Sequence, residues 1–354
     1  MIPIRLLNLG PTRWLRTQSV YHALAETMTA DSPDTIVLAQ PLQPYLCIGY
    51  HQELAAVLDR KACARMGLPI VRRRVGGGAT YLDVNQLFYQ CVFHHTRVPA
   101  IVNDVYARLL AAPVAALQAL GLKAALLGEN EIEVDGKRIA GTGGGRIGEA
   151  AVVVGNLLFD FDYNAMTRAW RVPSKAFRRL ASAALRERVT TLWAELPRPV
   201  SPDEVQYILV DEFARALNRP LEAGGLTPAE LQKVAELDKR LVSYKWLHQR
   251  GNGAQPPDEA LRDRPMTALK ISRGVFIRAE EMEVGDASTE PALSQSDASR
   301  SASKGPARVR AAFRLRDDVI EQAALESEPA RDWGEVERRL VGAALGEWKG
   351  ILRA

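Results

Sequence analysis

Basic and glycine residues stand side by side in the stretch from residue 72 to residue 83. Arg72, Arg73 and Arg74 are followed after one residue by Gly76, Gly77 and Gly78. Consecutive glycines carry a high entropic cost, so they indicate positive φ angles or a close backbone approach. Arginines beside them favour an anion, bound by amide N–H groups and planar guanidinium groups. A glycine-rich hairpin with solvated arginines fits the composition equally well.

A second candidate cation follows the dipeptide Asp135-Gly136. This dipeptide lies between the apolar-alternating segments Glu131–Val134 and Lys137–Ala140 and predicts a hairpin with a type I′ turn. Lys137 therefore starts the return strand. Behind it, Gly141–Gly145 forms another small-residue loop whose backbone donors would suit a phosphate. The alternatives are a solvated hairpin lysine and an ordinary mobile loop.

Helices and strands alternate irregularly around these two loops. Apolar spacing predicts helices at Thr17–Thr29, Glu53–Gly67 and Val102–Leu120, the last with a kink or break at Pro113, and further helices at Ser201–Ala216 and Leu226–Tyr244. Strands are predicted at Arg5–Leu7, Thr35–Ala39, Tyr45–Gly49, Leu87–Phe93 and Ala150–Phe161. The pattern predicts an α+β fold.

The composition changes near residue 250. Residues 251–265 are rich in Gly, Pro and charge and predict a linker, and residues 285–306 are too polar to order themselves and predict a disordered loop. Strands at Ala268–Met282 and Arg308–Arg316 and a helix at Trp333–Leu352 flank that loop. We therefore expect a main domain over residues 1–250 and a small α+β domain over residues 266–354.

Composition excludes several classes of protein. The 354 residues are 47% hydrophobic and carry a net charge of +4, without a basic tail that would indicate nucleic acid. Cys47, Cys63 and Cys91 share no metal-ligand spacing, which suits a reducing compartment. The first residues form too short an apolar run for a secretory signal, and no stretch approaches the ~20 apolar residues of a membrane helix. We expect a cytoplasmic protein with no nucleic-acid or membrane partner.

Four segments together resemble the lipoate–protein ligase A family of the biotin/lipoate ligase superfamily. The segment from Arg72 to Asp83 is similar to its Arg-Arg-x-x-Gly-Gly-Gly-x-Val-x-His-Asp motif, and Ile48–Gln52 to its Ile-Gly-x-x-Gln turn. Gly136–Gly141 resembles Gly-Lys-Lys-Ile-x-Gly, and Arg188–Leu192 resembles Arg-Val-x-Asn-Leu. The order along the chain is the same, and the resemblance covers roughly residues 1–250. It implies a large mixed-sheet catalytic domain with a small C-terminal accessory domain.

The resemblance implies an ATP-dependent lipoate–protein ligase. Such an enzyme converts lipoate to lipoyl-AMP and transfers the lipoyl group to a lysine of a carrier, such as the E2 subunit of a 2-oxoacid dehydrogenase or the glycine cleavage H protein. Joining two anions requires charge neutralisation and orientation. Lys137 matches the catalytic lysine, whose ammonium would lie between the acyl carbonyl oxygen and the α-phosphate.

Other matched positions imply binding and metal residues. Glu131 would supply an oxygen to Mg²⁺. The implied substrate- and nucleotide-binding residues are Arg72, Arg73, Gly76, Gly77, Gly78, Ala79, Tyr81, Asp83, Asn130, Gly141, Thr142, Gly155 and Asn156.

The chain departs from the family pattern at two places, and rival functions stay open. Leu82 stands where the motif has histidine, and Val154-Gly155-Asn156 replaces a His-Gly-Thr segment. An octanoyl- or lipoyl-amidotransferase would need a cysteine nucleophile, and no cysteine follows Lys137. Biotin ligation and a non-catalytic lipoate-binding protein are further alternatives; the absence of a three-glycine run in biotin ligases and the presence of Lys137 here argue against them.

Overall fold

The computed structural model describes residues 2–249, 265–284, 307–328 and 330–353. Most of the predicted linker and the whole predicted disordered loop lie outside these residues. Contacts divide the chain into a first unit, Met1–Arg171 with Leu185–Pro265, and a second unit, Val172–Ala184 with Met266–Ala354. In the described part of the chain, no helix combines the length and apolarity needed to cross a bilayer.

The described residues form strands and helices that include most of those predicted, although the predicted loop Gly141–Gly145 is part of a strand. The strands are β1 (Ile4–Thr12), β2 (Thr35–Pro41), β3 (Tyr45–Ile48), β4 (Ile70–Arg72), β5 (Thr80–Leu82), β6 (Gln86–His94), β7 (Ala124–Leu127), β8 (Glu131–Val134), β9 (Lys137–Arg138), β10 (Ala140–Ile147), β11 (Ala150–Leu158), β12 (Leu221–Ala223), β13 (Ala268–Ser272), β14 (Val275–Val284), β15 (Ala307–Arg316) and β16 (Val319–Glu328). The helices are α1 (Arg16–Glu26), α2 (Leu54–Val57), α3 (Arg60–Arg65), α4 (Val102–Ala119), α5 (Tyr163–Ala169), α6 (Lys175–Arg188), α7 (Leu192–Glu195), α8 (Pro202–Leu217), α9 (Pro228–Arg240), α10 (Tyr244–Leu247), α11 (Gly334–Leu340) and α12 (Trp348–Arg353).

A six-stranded mixed sheet organises the first unit. Its strand order is β10-β11-β6-β2-β1-β12, antiparallel from β10 to β2 and parallel from β2 to β12. One face packs on α4 and α8 through residues such as Leu109 and Phe213. The other face packs on α1 and α9 through residues such as Tyr21 and Leu237. Strands between two helical layers are buried on both faces, which explains the nearly continuous apolar runs of β2, β6 and β11.

Two small sheets carry the two loops singled out in the sequence. Strands β4-β3-β5 flank the arginine–glycine loop, and β7-β8-β9 carry the hairpin with Lys137. Asp135 and Gly136 have φ angles of 49° and 77°, as the predicted type I′ turn requires. Helix α4 runs through Pro113 without a break, and a kink at Pro113, the other predicted outcome, stays a prediction. The predicted helix Glu53–Gly67 is instead divided into α2 and α3.

The second unit contains an antiparallel meander of β13, β14, β15 and β16. Its own core includes Phe313, Leu340 and Trp348, and the rings of Phe313 and Trp348 lie 5.5 Å apart. The predicted C-terminal helix is divided into α11, a 3₁₀ turn at Leu345–Glu347 and α12. The mixed α/β architecture with a separate C-terminal sheet agrees with the expected fold class.

Candidate active site

The arginine–glycine loop packs directly against the Ile48–Gln52 turn. A Cβ atom on Gly49 would overlap the carbonyl oxygen of Gly77, so only glycine permits this approach. Gly77 itself has a φ angle of 97°, in the region that favours glycine. The turn is closed by a hydrogen bond of 3.0 Å from the Gly49 amide to the side-chain oxygen of Gln52. Two segments far apart in sequence thereby form one surface.

The three arginines take three directions. The guanidinium of Arg72 is fully buried and donates to the carbonyl oxygens of Gly49, Tyr50, Gln52, Trp246 and Leu247 at 2.5–3.2 Å. Burial lowers its pKa to about 10. In this arrangement Arg72 connects the turn to α10, and none of its three nitrogens faces solvent. Its binding role remains a prediction.

Arg73 points into the loop that it begins. Its Nη2 donates to the carbonyl oxygens of Gly76 and Gly78 at 2.8 and 2.9 Å, and its Nη1 to that of Cys47 at 3.3 Å. Arg73 thus holds the three-glycine segment in a tight curve. An anion that took up this guanidinium would replace those carbonyl contacts and rearrange the loop.

Arg74 points away from the loop, towards α1. Its backbone amide is bound there by His22, a residue that the sequence did not single out. Its Nη1 pairs with Glu26 at 2.9 Å, while its amide donates to Nε2 of His22 at 2.9 Å. Nε2 of His22 is therefore an acceptor, and Nδ1 donates to the Gln18 carbonyl at 2.6 Å. Burial lowers the pKa of His22 to about 4, so the imidazole is neutral. A histidine on the buried face of a helix gave no signal of this loop contact.

Strand β10 separates the predicted binding residues between its two faces. Gly143 and Gly145 lie beside Val75, at the base of the arginine–glycine loop. Successive side chains of a strand point to opposite faces, so Thr142 lies on the other face, where its hydroxyl donates to the Asn130 carbonyl. Gly155, its register partner, approaches the hydroxyl of Tyr89 on that same face. Thr142, Asn130 and Gly155 do not share the surface of the loop.

A buried polar network joins three other predicted residues. The amide of Asn156 donates to Gln86, which donates in turn to the Tyr81 carbonyl at 3.2 Å and to Asp83 at 3.4 Å. Burial raises the pKa of Asp83. Gln86 was missed by the sequence reasoning, although a glutamine opening an apolar strand was an available signal. Gly141 completes the group, because a Cβ atom added there would overlap the side-chain oxygen of Asn156. Ala79, in the arginine–glycine loop, is half-buried.

Lys137 is a half-exposed cation beside the Arg188–Leu192 segment. Its Nζ lies 3.7 Å from Glu195, which also accepts a 2.5 Å hydrogen bond from Thr190. The Thr190 amide donates to the Arg138 carbonyl at 2.8 Å, so the hairpin and this segment are held together. Thus the structure brings together the third and fourth of the four sequence motifs.

The proposed magnesium ligand is already neutralised. Glu131 is buried, and its Oε1 lies 2.9 Å from Nη2 of Arg138. A buried carboxylate paired with arginine does not fit the role of an available Mg²⁺ ligand. In this structure the Glu131 carboxylate is engaged by Arg138, so the arrangement does not support its predicted role as a magnesium ligand, and that role stays a prediction.

Leu82, which stands where the family motif has histidine, and the three cysteines are buried, whereas Val154 is only partly buried. Leu82 is 5% exposed and packs in the core that contains Tyr45 and Phe88. Cys47, Cys63 and Cys91 are each at most 1% exposed. Burial raises the pKa of all three thiols, to about 11 for Cys63. A buried thiol with a raised pKa is a poor nucleophile.

Residues 15–214 match the Lipoyl protein ligase A/B catalytic domain, and this chain belongs to that family. An octanoyltransferase LipM of Symbiobacterium thermophilum is 27% identical, over 66% of this chain and 93% of its own. The lipoate-protein ligase LplJ of Bacillus subtilis is 26% identical, over 46% of this chain and 48% of its own. The expected family is confirmed. The relatives include both octanoyltransferases and lipoate–protein ligases.

The fold has a solved counterpart. A bi-partite lipoate protein ligase from Thermoplasma acidophilum, described with its E2 lipoyl domain, superposes with a TM-score of 0.65 at 23% identity. The match covers 73% of this chain and 100% of the other. This likeness confirms the expected ligase fold, and the family match identifies the protein as an enzyme of the lipoate and octanoate transfer family.

Proposed function

We propose that this protein is an ATP-dependent lipoate–protein ligase. The observation that carries this proposal is the burial of all three cysteines of the sequence, combined with the half-exposed ammonium of Lys137. Thioester transfer requires an accessible thiolate, whereas acyl-adenylate chemistry requires a positioned cation. Among the described residues, the Lys137 ammonium is available as such a cation, whereas each of the three thiols is buried.

In the proposed reaction a carboxylate oxygen of lipoate attacks the α-phosphorus of ATP, and pyrophosphate leaves. The lysine amine of the carrier then attacks the acyl carbonyl carbon, AMP leaves, and the amine proton passes to solvent. Lys137 would exchange its 3.7 Å contact with Glu195 for the growing charge on the phosphate and carbonyl oxygens. The lipoyl-carrier partner is proposed on the family's chemistry.

The experiment supplies lipoate, Mg-ATP and a lipoyl domain and measures both AMP and the mass of the carrier. Lys137→Ala should lower AMP formation about 100-fold or more, as expected when one charge-stabilising donor is removed. Lys123→Ala is the matched control, because Lys123 is exposed and directly precedes β7 of the same small sheet. Normal turnover by Lys137→Ala would remove Lys137 from its proposed role.

Octanoyl transfer is the second candidate, favoured by the octanoyltransferase relatives. It predicts carrier acylation from octanoyl-carrier protein without AMP, through a thioester on the enzyme. Cys47 is the thiol we would assign to this step, because its Sγ lies 3.5 Å from Nη1 of Arg73, at the start of the glycine loop. The triple change of Cys47, Cys63 and Cys91 to Ser decides between the candidates. Ligation should survive it, whereas thioester transfer should be abolished.

A further inference from the structure

Two histidines and a glutamate lie close together at one end of the main sheet, where β6 and β10 end and β11 begins. His94 ends β6, His95 follows it, and Glu149 lies in the turn between β10 and β11. Ala150 is the register partner of His94, and the His95 amide donates to the Glu149 carbonyl at 2.9 Å. The backbone therefore fixes the three residues side by side, independently of the side chains.

The side chains converge on one point. The Glu149 carboxylate Oε2 lies 3.2 Å from Nδ1 of His95 and 3.9 Å from Nε2 of His94, and the same Nδ1 lies 3.1 Å from the Glu149 carbonyl oxygen. One ligand atom from each residue lies within 4.8 Å of the other two. Tetrahedral zinc with bonds near 2.1 Å separates its ligands by roughly 3.4 Å. The Glu149 contacts at 3.2 and 3.9 Å are close to that value, and the two histidine ligand atoms lie within 4.8 Å of each other.

The surroundings suit a metal ligand. Thr96 holds the His94 ring in place, because its Oγ1 lies 2.8 Å from Nδ1 of His94 and its amide donates to the same nitrogen at 3.4 Å. The ring is thereby oriented with Nε2 towards Glu149. Such an outer partner is what orients metal-bound histidines. Asp34 also accepts from the His94 amide at 3.1 Å. The other carboxylate oxygen of Glu149 pairs with Arg146 at 3.7 Å, between two exposed side chains.

We propose that His94, His95 and Glu149 form a site for a divalent transition-metal ion, with zinc as the best match. Two imidazole nitrogens and one carboxylate oxygen are typical zinc ligands, and water would complete the coordination. Because Glu149 is half-exposed, the ion can enter without unfolding of the core. The bound ion would fasten the β10–β11 turn to the end of β6. This proposal does not depend on the proposed function.

The test uses the full chain, freed of metal with EDTA, and titrates it with ZnCl₂ by calorimetry. One equivalent should bind and raise the melting temperature. His95→Ala and Glu149→Gln should each abolish that binding, whereas His51→Ala should retain it. Thr96→Val should weaken it about 10-fold, the loss expected for an outer partner.

Cobalt gives a second readout. Co²⁺ bound by imidazole and carboxylate in a tetrahedral site absorbs visible light, and that band should disappear in His95→Ala. Circular dichroism without metal establishes that the variants are folded. No zinc binding by the parent protein, or equal binding by the double variant His95→Ala/Glu149→Gln, would overturn the site and leave an ordinary histidine–carboxylate contact.

Discussion

At the scale of single residues, three consecutive arginines have different contacts although they are the same residue type. Arg72 and Arg73 both direct their donors to backbone carbonyls, and Arg74 pairs with a glutamate on α1. The sequence predicted anion binding from this cluster because guanidinium groups and glycines suit phosphate. It could not reveal that carbonyl oxygens of the turn and of α10 compete for the same donors, since those segments are 20 to 175 residues away.

Arg72 should be essential for stability, whereas Arg74 should not. In Arg72→Met several buried carbonyl oxygens lose their donor, and each unsatisfied group costs about 1–3 kcal/mol, so the loss should exceed about 3 kcal/mol. Arg74→Met breaks a partly exposed pair and should cost about 1 kcal/mol or less. Urea unfolding of the two variants measures the difference. Equal midpoints would contradict the assignment of Arg72 to the architecture of the site.

At the scale of elements, some local signals predicted the structure correctly, whereas others did not and contacts between elements could not be predicted. Asp135-Gly136 predicted the hairpin that presents Lys137, since an αL-compatible pair selects a type I′ turn. The glycine runs predicted close backbone approach, and Gly49 against Gly77 supplies one example. The opposite faces of Thr142 and Gly143 were not foreseen. Composition indicated a flexible loop there, whereas the β10–β11 register makes it a strand.

The contact between Gly49 and Gly77 gives a prediction about the loop. In Gly49→Ala the new methyl group would meet a backbone carbonyl, which cannot move aside as a flexible side chain can. The glycine loop should shift, with a loss of about 1–3 kcal/mol in stability and a raised KM for the acid substrate.

Gly225→Ala is the control, because nothing lies within 4 Å of the added carbon and φ is not positive there. It should change stability by less than about 0.5 kcal/mol. If Gly49→Ala had the same KM and stability as this control, the close packing of the turn and the loop would be refuted.

At the scale of the whole molecule, the sequence predicted a second domain but not all of the segments that form it. The strand predicted at Arg308–Arg316 corresponds to β15, and the one predicted at Ala268–Met282 is divided into β13 and β14, whereas β16 was not predicted. The second unit also takes Val172–Ala184 from the middle of the chain, and the basic helix α6, which contains most of that segment, was not predicted. Association between segments so far apart leaves no local pattern. The division into a catalytic domain and an accessory domain therefore stays a functional proposal.

The accessory role can be tested by loosening the core of the second unit. Trp348 is 3% exposed and packs on Phe313, so Trp348→Ala should destabilise that unit by about 3–5 kcal/mol. Because the unit has a core of its own, a separate thermal transition should move to lower temperature. Val341→Ala removes an exposed side chain from the same unit and should move it little.

If the second unit serves adenylate formation, Trp348→Ala should lower AMP production from lipoate and ATP above its lowered transition. Transfer from chemically prepared lipoyl-AMP to the carrier should persist at the same temperature, because that step begins after the adenylate exists. Unchanged AMP production by a protein whose lower transition has been lost would exclude the unit from adenylation. Loss of both activities would instead assign it to a step that adenylation and transfer share.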